Sequence, residues 1–159
     1  MERLHIRHAE PADYAAIVAS VDAWWGGRRM ADMLPRLFLV HFRETTFVAE
    51  REGEIVAFVA GFLSQTFRNE AYIHFAGVHP AFRGRGLGRL LYERFFAAVR
   101  AYGRNLVRCV TSPQNRDSIA FHLRLGFSVR PGDRQIEGIP VAPDHDGTGE
   151  HRVLLTKTI

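Results

Sequence analysis

The sequence predicts an α/β domain built on one mixed β-sheet. Short apolar segments with two-residue alternation or β-branched residues recur along the chain, and amphipathic segments with helical spacing lie between them. At the centre, residues 70–102 form a β-prone segment, a glycine-rich turn and an apolar helical stripe. At 159 residues the chain fits a single domain spanning 1–159. The predicted order is βααβββαβαββ, which is typical of a mixed sheet flanked by helices.

The first part of the chain, up to residue 64, supplies three strands and two helices. Segment 3–8 alternates apolar and polar residues, which predicts a strand. A helix follows with a proline in its tolerated first turn, and it ends at Gly26-Gly27. A second helix is predicted over 30–42, interrupted or restarted at Pro35 because proline lacks an N–H. Strands 46–51 and 54–64 then flank a hairpin turn at Glu52-Gly53.

The second half alternates strands and helices before a long loop. The strand that ends at Val78 is stopped by His79-Pro80, and a helix follows the glycine-rich turn as far as Tyr102. Asn115 is a good N-cap for a further helix through Leu125, and Gly126 stands where a helix-ending glycine is expected. The remaining predicted elements are strands at 106–110, 127–130 and 151–159, with a polar loop over 131–150.

Composition and charge exclude several classes of protein. The net charge is +4, and all 21 basic residues except Lys157 are arginines. The arginines are dispersed and no nucleic-acid motif occurs, so a nucleic-acid partner is not favoured, although a phosphate-rich ligand suits the charge. No apolar run reaches about 20 residues, and the N-terminus lacks a signal-peptide core, so no membrane association and a cytoplasmic location are expected. The single Cys109 rules out an intrachain disulfide and a cysteine-rich metal site, and no metal is expected.

The turn between the central strand and helix has the features of an anion site. It contains three glycines at alternate positions and two arginines: Arg83, Gly84, Arg85, Gly86, Leu87 and Gly88. A glycine-rich turn opening a helix directs backbone N–H groups and the positive end of the helix dipole at one point. The turn is not a Walker A loop, because no Gly-Lys-Ser/Thr follows its glycines. It is not a dinucleotide-binding G-x-G-x-x-G motif either, because Arg89 stands in the place of the third glycine. A phosphate-bearing ligand is predicted, and a purely steric strand–helix connection is the alternative.

Two motifs together indicate a family. Arg83-x-x-Gly86-x-Gly88, after a strand ending in Val78-His79-Pro80, resembles the pyrophosphate-binding motif Q/R-x-x-G-x-G/A of the GNAT N-acetyltransferase superfamily. Asn115 followed by Phe121-His122-x-x-Leu125-Gly126-Phe127 resembles that family's Asn…Tyr-x-x-x-Gly-Phe motif, with histidine in place of tyrosine. The resemblance implies a GNAT-like fold with a splayed central sheet and acetyl-CoA as co-substrate. It is also consistent with a homodimer.

The same resemblance implies roles for the residues of the two motifs. The amides of Arg85, Gly86, Leu87 and Gly88 would hold the pyrophosphate, with a β-carbon at either glycine keeping the phosphate off the backbone. A bulge at Gly77-Val78 would open the sheet for the pantetheine arm, and the Val78 amide would polarise the thioester carbonyl. Asn115 would contact the pantetheine arm or serve only as a helix cap. The expected cofactor-binding residues are Val78, Arg83, Gly84, Arg85, Gly86, Leu87, Gly88, Asn115, Phe121 and His122.

The expected chemistry is direct acetyl transfer to a primary amine, which must lose a proton to attack. By two-residue alternation Glu70, Tyr72, His74, Ala76 and Val78 would share one face of the strand. Family resemblance places the base at Tyr72, where many members have glutamate, or at His74, as in arylalkylamine N-acetyltransferases. An imidazole suits a general base at neutral pH, but His74 could equally be a hydrogen-bonded core residue, and Glu70 is the second choice.

The leaving thiolate needs a proton, and family resemblance gives that role to the position of His122. The alternative is that His122 only lines the pantetheine channel.

The acceptor pocket is expected between the first two helices and the late loop. The candidates are Trp24, Trp25, Arg28 and Arg29, with Asp144, Asp146 and Glu150 from the loop. For the tryptophans, a place in the core at the end of the helix is the alternative. The predicted function is N-acetylation of a small-molecule amine in a ternary complex. The alternatives are a protein or peptide N-acetyltransferase, a non-catalytic acyl-CoA sensor and a basic nucleic-acid-binding domain.

Overall fold

The computed structural model describes residues 3–159, and its main feature is a seven-stranded sheet with strand order β1-β2-β3-β4-β5-β9-β6. Neighbouring strands are antiparallel except β4 and β5, which are parallel. The strands are β1 Leu4–His8, β2 Thr46–Arg51, β3 Glu54–Leu63, β4 Glu70–Val78, β5 Leu106–Thr111, β6 Ser128–Val129, β7 Arg134–Ile136, β8 Ile139–Val141 and β9 Val153–Thr158. The helices are α1 Asp13–Trp24, α2 Leu37–Val40, α3 Leu87–Ala101 and α4 Arg116–Arg124. The predicted α/β class with a mixed sheet is confirmed.

Helices cover both faces of the sheet and produce two apolar cores. On one face α3 and α4 bury a cluster that includes Phe95, Val99 and Ile119. On the other face α1 and α2 bury a second cluster that includes Ile17 and Phe38. Within residues 3–159, no helix combines the length and the apolar character that a membrane crossing requires.

The segment predicted as the second helix is broken into short turns. A 3₁₀ turn at Ala31–Met33 precedes α2, and another at Arg43–Thr45 follows it. Pro35 separates the first turn from α2, so the predicted interruption is confirmed. The Asp22 carboxylate accepts hydrogen bonds from the amides of Met30 and Ala31 at 2.7 and 2.8 Å. These bonds fold the connection back against the end of α1.

The prediction of a continuous loop over 131–150 is wrong, because β7 and β8 form a hairpin there. Its two-residue turn is Glu137-Gly138, with φ of 49° and 80°. Both values suit a tight hairpin turn of the I′ class, in which both central residues have positive φ. Glu137 is an uncommon residue for this conformation, which explains why the sequence did not indicate the turn.

A β-bulge lies at His74. The pairing of β3 with β4 shifts between Ala60, opposite Phe75, and Gly61, opposite Ile73, so that His74 is the extra residue. The predicted bulge at Gly77-Val78 is therefore wrong. An extra residue reverses the alternation of side chains along a strand.

The bulge divides the predicted catalytic face in two. Tyr72 stacks on Phe62 and His74 on Phe38, on the α1/α2 side, whereas Ala76 and Val78 pack against the cluster under α3. The prediction that alternate residues from Glu70 to Val78 share one face is wrong for this reason.

The sheet splays between β4 and β5. The two strands pair only where Glu70, Ala71 and Tyr72 lie beside Leu106, Val107 and Arg108. Beyond Tyr72 both strands continue without pairing to each other, which leaves a gap in the middle of the sheet. The predicted splayed sheet is confirmed, and the gap ends beside the glycine-rich turn.

Candidate active site

The turn before α3 presents a row of unpaired backbone amides. Gly84 and Gly86 have φ of 74° and 80°, a left-handed conformation that favours glycine. Among residues 3–159, the N–H groups of residues 84–89 have no hydrogen-bond acceptor, and α3 begins at Leu87. Free amides at the positive end of a fifteen-residue helix form an anion site.

The two motif glycines of this turn, Gly86 and Gly88, are favoured for different physical reasons. A β-carbon on Gly86 would meet nothing within 4 Å, so the positive φ is what favours glycine there. A β-carbon on Gly88 would lie 3.1 Å from the ring of Phe121, so close packing favours glycine at that position. The close approach of a phosphate to these two glycines stays a prediction.

The Val78 amide points into the gap. The His79 amide donates to the Val56 carbonyl on β3 at 2.8 Å, so the Val78 carbonyl across the same peptide points away from β3. In an extended residue the N–H and C=O groups point to the same side. The Val78 N–H is therefore directed at the gap, where it can donate to a ligand oxygen.

The two arginines of the turn have different surroundings. Arg83 donates from Nε to the Val78 carbonyl at 3.0 Å and from Nη2 to the Trp24 carbonyl at 2.5 Å. The exposed Arg85 guanidinium lies 5.8 Å from the centre of the Phe82 ring. Within residues 3–159 the Arg85 guanidinium makes no hydrogen bond, so all of its donors are free for a ligand, whereas Arg83 has two of its donors engaged.

Residues at the start of α4 meet the turn from the other side. The Asn115 side-chain oxygen accepts from the Ser118 amide at 3.1 Å, which confirms the predicted cap. The Asn115 side-chain NH₂ makes no hydrogen bond within residues 3–159, so a second role as a donor to a ligand is open. Phe121 contacts Gly88 and makes an edge-to-face contact with Tyr92 at 5.1 Å.

His122 is buried, with 6% of its surface exposed. Its Nδ1 lies 2.7 Å from the Ser118 carbonyl, which can only accept, so Nδ1 carries the proton. Its Nε2 lies 2.9 Å from the Tyr92 hydroxyl, which therefore donates to it. Burial lowers the pKa of His122, so the ring is neutral at pH 7. The one proton of the neutral ring is held by a carbonyl, which counts against the predicted proton-donor role.

The base candidates on β4 differ in how free they are. The His74 Nε2 lies 2.5 Å from the Met33 carbonyl, so Nε2 is the donor and Nδ1 of the neutral ring holds the lone pair. Burial raises the pKa of Tyr72 to about 12, which keeps the phenol protonated. The buried Glu70 carboxylate is bound by Arg108 at 2.9 and 3.1 Å. His74 is the candidate with an available lone pair.

The predicted acceptor residues do not form one group. Trp24 is 4% exposed and stacks on Phe58, so it belongs to the core. Trp25 is half-buried and its ring lies against Phe75 at 5.1 Å. Arg28 and Arg29 are both exposed at the surface.

The late loop approaches the site through an ion-pair cluster. Arg152 binds Asp146 at 2.8 Å and Glu150 at 3.2 Å, and the charges of Asp146 and Arg152 act on the pKa of Tyr72. These residues therefore lie near Tyr72. Asp144 is instead 3.7 Å from the ring of His151. Asp146 and Glu150 therefore share Arg152 as their ion-pair partner.

Three functional neighbours escaped the sequence analysis. Tyr92 binds His122, Arg152 binds the loop carboxylates, and Phe38 stacks on His74 at 4.7 Å. Tyr92 lies four residues after Gly88 on α3, so helical spacing could have placed it beside the turn. Arg152 and Phe38 carried no local signal.

The comparison with known proteins decides the family. A model of the acetyltransferase (GNAT) family matches residues 12–127. The chain belongs to this family. The resemblance seen in the two motifs is thus confirmed, and with it the predicted class of enzyme, an acetyl-CoA-dependent N-acetyltransferase.

Named relatives of this GNAT protein include enzymes that act on amino acids. It is 32% identical over 137 residues to the L-methionine sulfoximine/L-methionine sulfone acetyltransferase of Salmonella typhimurium, covering 78% of this chain and 80% of that one. It is 35% identical over 79 residues to the L-2,4-diaminobutyric acid acetyltransferase of Nocardia farcinica, covering 50% of this chain and 41% of that one.

A solved relative contains the expected co-substrate. The yncA protein of Salmonella typhimurium, solved with its cofactor acetyl-CoA, is 25% identical to this chain with a TM-score of 0.70. The match covers 98% of this chain and 93% of the relative.

Proposed function

We propose that this protein transfers an acetyl group from acetyl-CoA directly to the primary amine of a small molecule, with both substrates bound together. The observation that carries the proposal is the continuity of two features. The free amides of residues 84–89 lie at one end of the gap between β4 and β5, and the Val78 amide points into that gap. This arrangement suits a long ligand with an anionic end and a carbonyl group.

The chain's own residues fit acetyl-CoA, which when bound supplies a thioester with an electrophilic acetyl carbon. The turn amides would hold the diphosphate, and Arg85 would add charge. The unpaired inner edges of β4 and β5 would receive the pantetheine arm, with Asn115 donating from its free NH₂. The Val78 N–H would donate to the carbonyl oxygen and stabilise the negative charge that develops there.

The amine would approach from the α1/α2 face, where Phe62, Tyr72 and His74 are only half-buried. On the α3 face, by contrast, the side chains beside the gap belong to the core that contains Phe95 and Val99. The His74 Nδ1 would accept the amine proton, directly or through water, while Met33 holds the other ring nitrogen. That the named relatives act on small amines supports a small-molecule acceptor.

Direct transfer agrees with the state of the single cysteine. Cys109 is 4% exposed and burial raises the pKa of its thiol, so the thiol is a poor nucleophile. We assign His122 to holding Tyr92 and Ser118 in place, and the departing thiolate would take its proton from solvent in the gap.

Acetyl-CoA binding is best tested with two glycine variants. Gly86 and Gly53 both have φ of 80° and open space around the position of a β-carbon, but Gly53 lies in the β2–β3 hairpin turn. Gly86→Ala and Gly53→Ala should therefore lose similar stability. Calorimetry should show that Gly86→Ala binds acetyl-CoA at least about tenfold more weakly than the wild type, because one interaction between the turn and the diphosphate is lost. Gly53→Ala should bind acetyl-CoA as the wild type does. Equal affinity in all three proteins would refute the proposed donor site.

The acceptor and base are tested by turnover. A panel of small primary amines with detection of free thiol should find a substrate, and turnover of peptides alone would favour a protein acceptor. His74→Ala should lower kcat by about 100-fold and remove the acid limb of the pH–rate profile, with acetyl-CoA affinity unchanged. His5→Ala, on the edge strand β1, is the matched control and should leave kcat unchanged. Binding of acetyl-CoA without any turnover would favour the sensor alternative.

A further inference from the structure

We propose that the Arg83 side chain is a positioning group that joins the phosphate-binding turn to the ends of α1 and β4. Its guanidinium donates to two backbone carbonyls, those of Val78 at 3.0 Å and Trp24 at 2.5 Å. Both bonds tie a charged donor to main chain outside the turn. The Arg83 side chain, at the start of the turn, is thus bonded to the protein backbone in the absence of a phosphate ligand.

The bond to Trp24 completes the end of α1. The last carbonyls of a helix lack intrahelical donors. Here the amides of residues 25–27 return to the carbonyls of Asp22 and Ala23, and Arg83 supplies the donor for Trp24, the last residue of α1. A cation at a helix C-terminus is also favoured by the helix dipole. Arg83 therefore acts as the cap of α1.

The bond to Val78 holds the end of β4. Val78 is the last residue of the strand and lies beyond the part that pairs with β5. The His79 amide attaches the following peptide to β3, and Arg83 holds the Val78 carbonyl on the opposite side. Together the two bonds restrict rotation at Val78, whose own N–H points into the gap.

The end of α1 also packs on β4. The two hydrogen bonds of Arg83, which we call the Arg83 clamp, therefore join elements that are already in contact. The Trp25 ring lies 2.7 Å from the position that a β-carbon on Gly77 would occupy. A shift of α1 would therefore move the support beneath Gly77 and Val78. Arg83 couples the geometry of the turn to the geometry of the proposed oxyanion donor.

Arg85 provides the contrast within the same turn. Both arginines are exposed, but within residues 3–159 Arg85 makes no hydrogen bond and contacts the Phe82 ring at 5.8 Å. Its donors are free to meet a phosphate. Arg83 and Arg85 thus differ in role although they are two residues apart.

Kinetics of Arg83→Met and of its matched control Arg85→Met distinguish the positioning role of Arg83 from the phosphate-binding role of Arg85. This kinetic experiment rests on the proposed function. Arg83→Met should lower kcat by about tenfold or more through misplacement of Val78, with KM for acetyl-CoA within about threefold of the wild type. Arg85→Met should raise KM for acetyl-CoA by about tenfold, in a salt-dependent manner. Arg83→Gln, which keeps one N–H donor group, should recover part of kcat.

Hydrogen exchange of the ligand-free full chain tests the clamp without activity. Amides of segments 22–27 and 76–80 should exchange faster in Arg83→Met, to a smaller degree in Arg83→Gln, and as in the wild type in Arg85→Met. Unchanged exchange in both Arg83 variants, or a salt-dependent rise in KM like that of Arg85→Met, would overturn the proposal. A wild type without turnover would contradict the proposed function alone, and the exchange data would still decide the role of Arg83.

Discussion

The hydrogen bond between Tyr92 and His122 leads to a quantitative prediction about stability. Tyr92→Phe removes only the hydroxyl, and the ring keeps its edge-to-face contacts with Phe121 and Phe127. Because Tyr92 and His122 are 4% and 6% exposed, water cannot replace the lost donor to Nε2. An unsatisfied buried acceptor costs about 1–3 kcal/mol, so the free energy of unfolding should fall by that amount.

The assay is urea unfolding at pH 8, with Tyr102→Phe, at the C-cap of the same helix, as the matched control. Tyr102 is 51% exposed and its hydroxyl is 3.5 Å from Glu44, so its loss should change the free energy of unfolding by less than about 0.5 kcal/mol. For a domain of this size, each kcal/mol corresponds to about 2–4 °C in Tm. Equal stability of Tyr92→Phe and the wild type would refute the assignment of the buried bond.

The same pair makes stability depend on pH. Burial lowers the folded-state pKa of His122, so the unfolded chain binds the proton more readily, near pH 6.5. The contribution of His122 is therefore complete above about pH 6.5 and is lost as the pH falls toward the folded-state pKa. His122→Asn, which keeps a donor near Ser118, should weaken this dependence between pH 7 and 5. An unchanged dependence would contradict the neutral, buried state of the ring.

Three further predictions concern packing, an ion pair and a helix cap. Gly77→Ala should lower the free energy of unfolding by about 1–3 kcal/mol, since the new methyl group would meet Trp25, and tryptophan fluorescence should report the shift. Asp13→Asn should cost about 2 kcal/mol by urea unfolding at pH 7, because Arg7 donates to both carboxylate oxygens at 2.8 and 2.9 Å. Burial alone would raise the pKa of Asp13, but the bonds from Arg7 and a backbone amide hold it below its ordinary value, so this stabilisation should disappear as the pH falls below about 4. Asn115→Ala should cost about 1 kcal/mol of stability through loss of the α4 cap. If the free energy of acetyl-CoA binding falls by more than the free energy of unfolding does, the role of the Asn115 NH₂ group as a donor to the ligand is supported.

Local sequence features were sufficient for much of the fold and for the shape of the glycine-rich turn. Proline and glycine restrict the backbone directly, so the break at Pro35 and the left-handed turn at Gly84 and Gly86 follow from residue type. Asn115 caps α4 because its short side chain reaches the amide of the third residue on. These features depend on neighbours within one turn, which is why sequence alone predicts them.

Features that depend on partners distant in the chain required the tertiary structure. The register between β3 and β4 places the bulge at His74, and that one extra residue decides which side chains of β4 face the α1/α2 side. The two motifs singled out Arg83 and His122, but the bonds of these residues to Trp24, Val78 and Tyr92 join elements that only packing brings together. Residue type and spacing thus determine where the candidate anion site lies. The long-range contacts decide which side chains remain free to bind substrate and which hold the backbone in place.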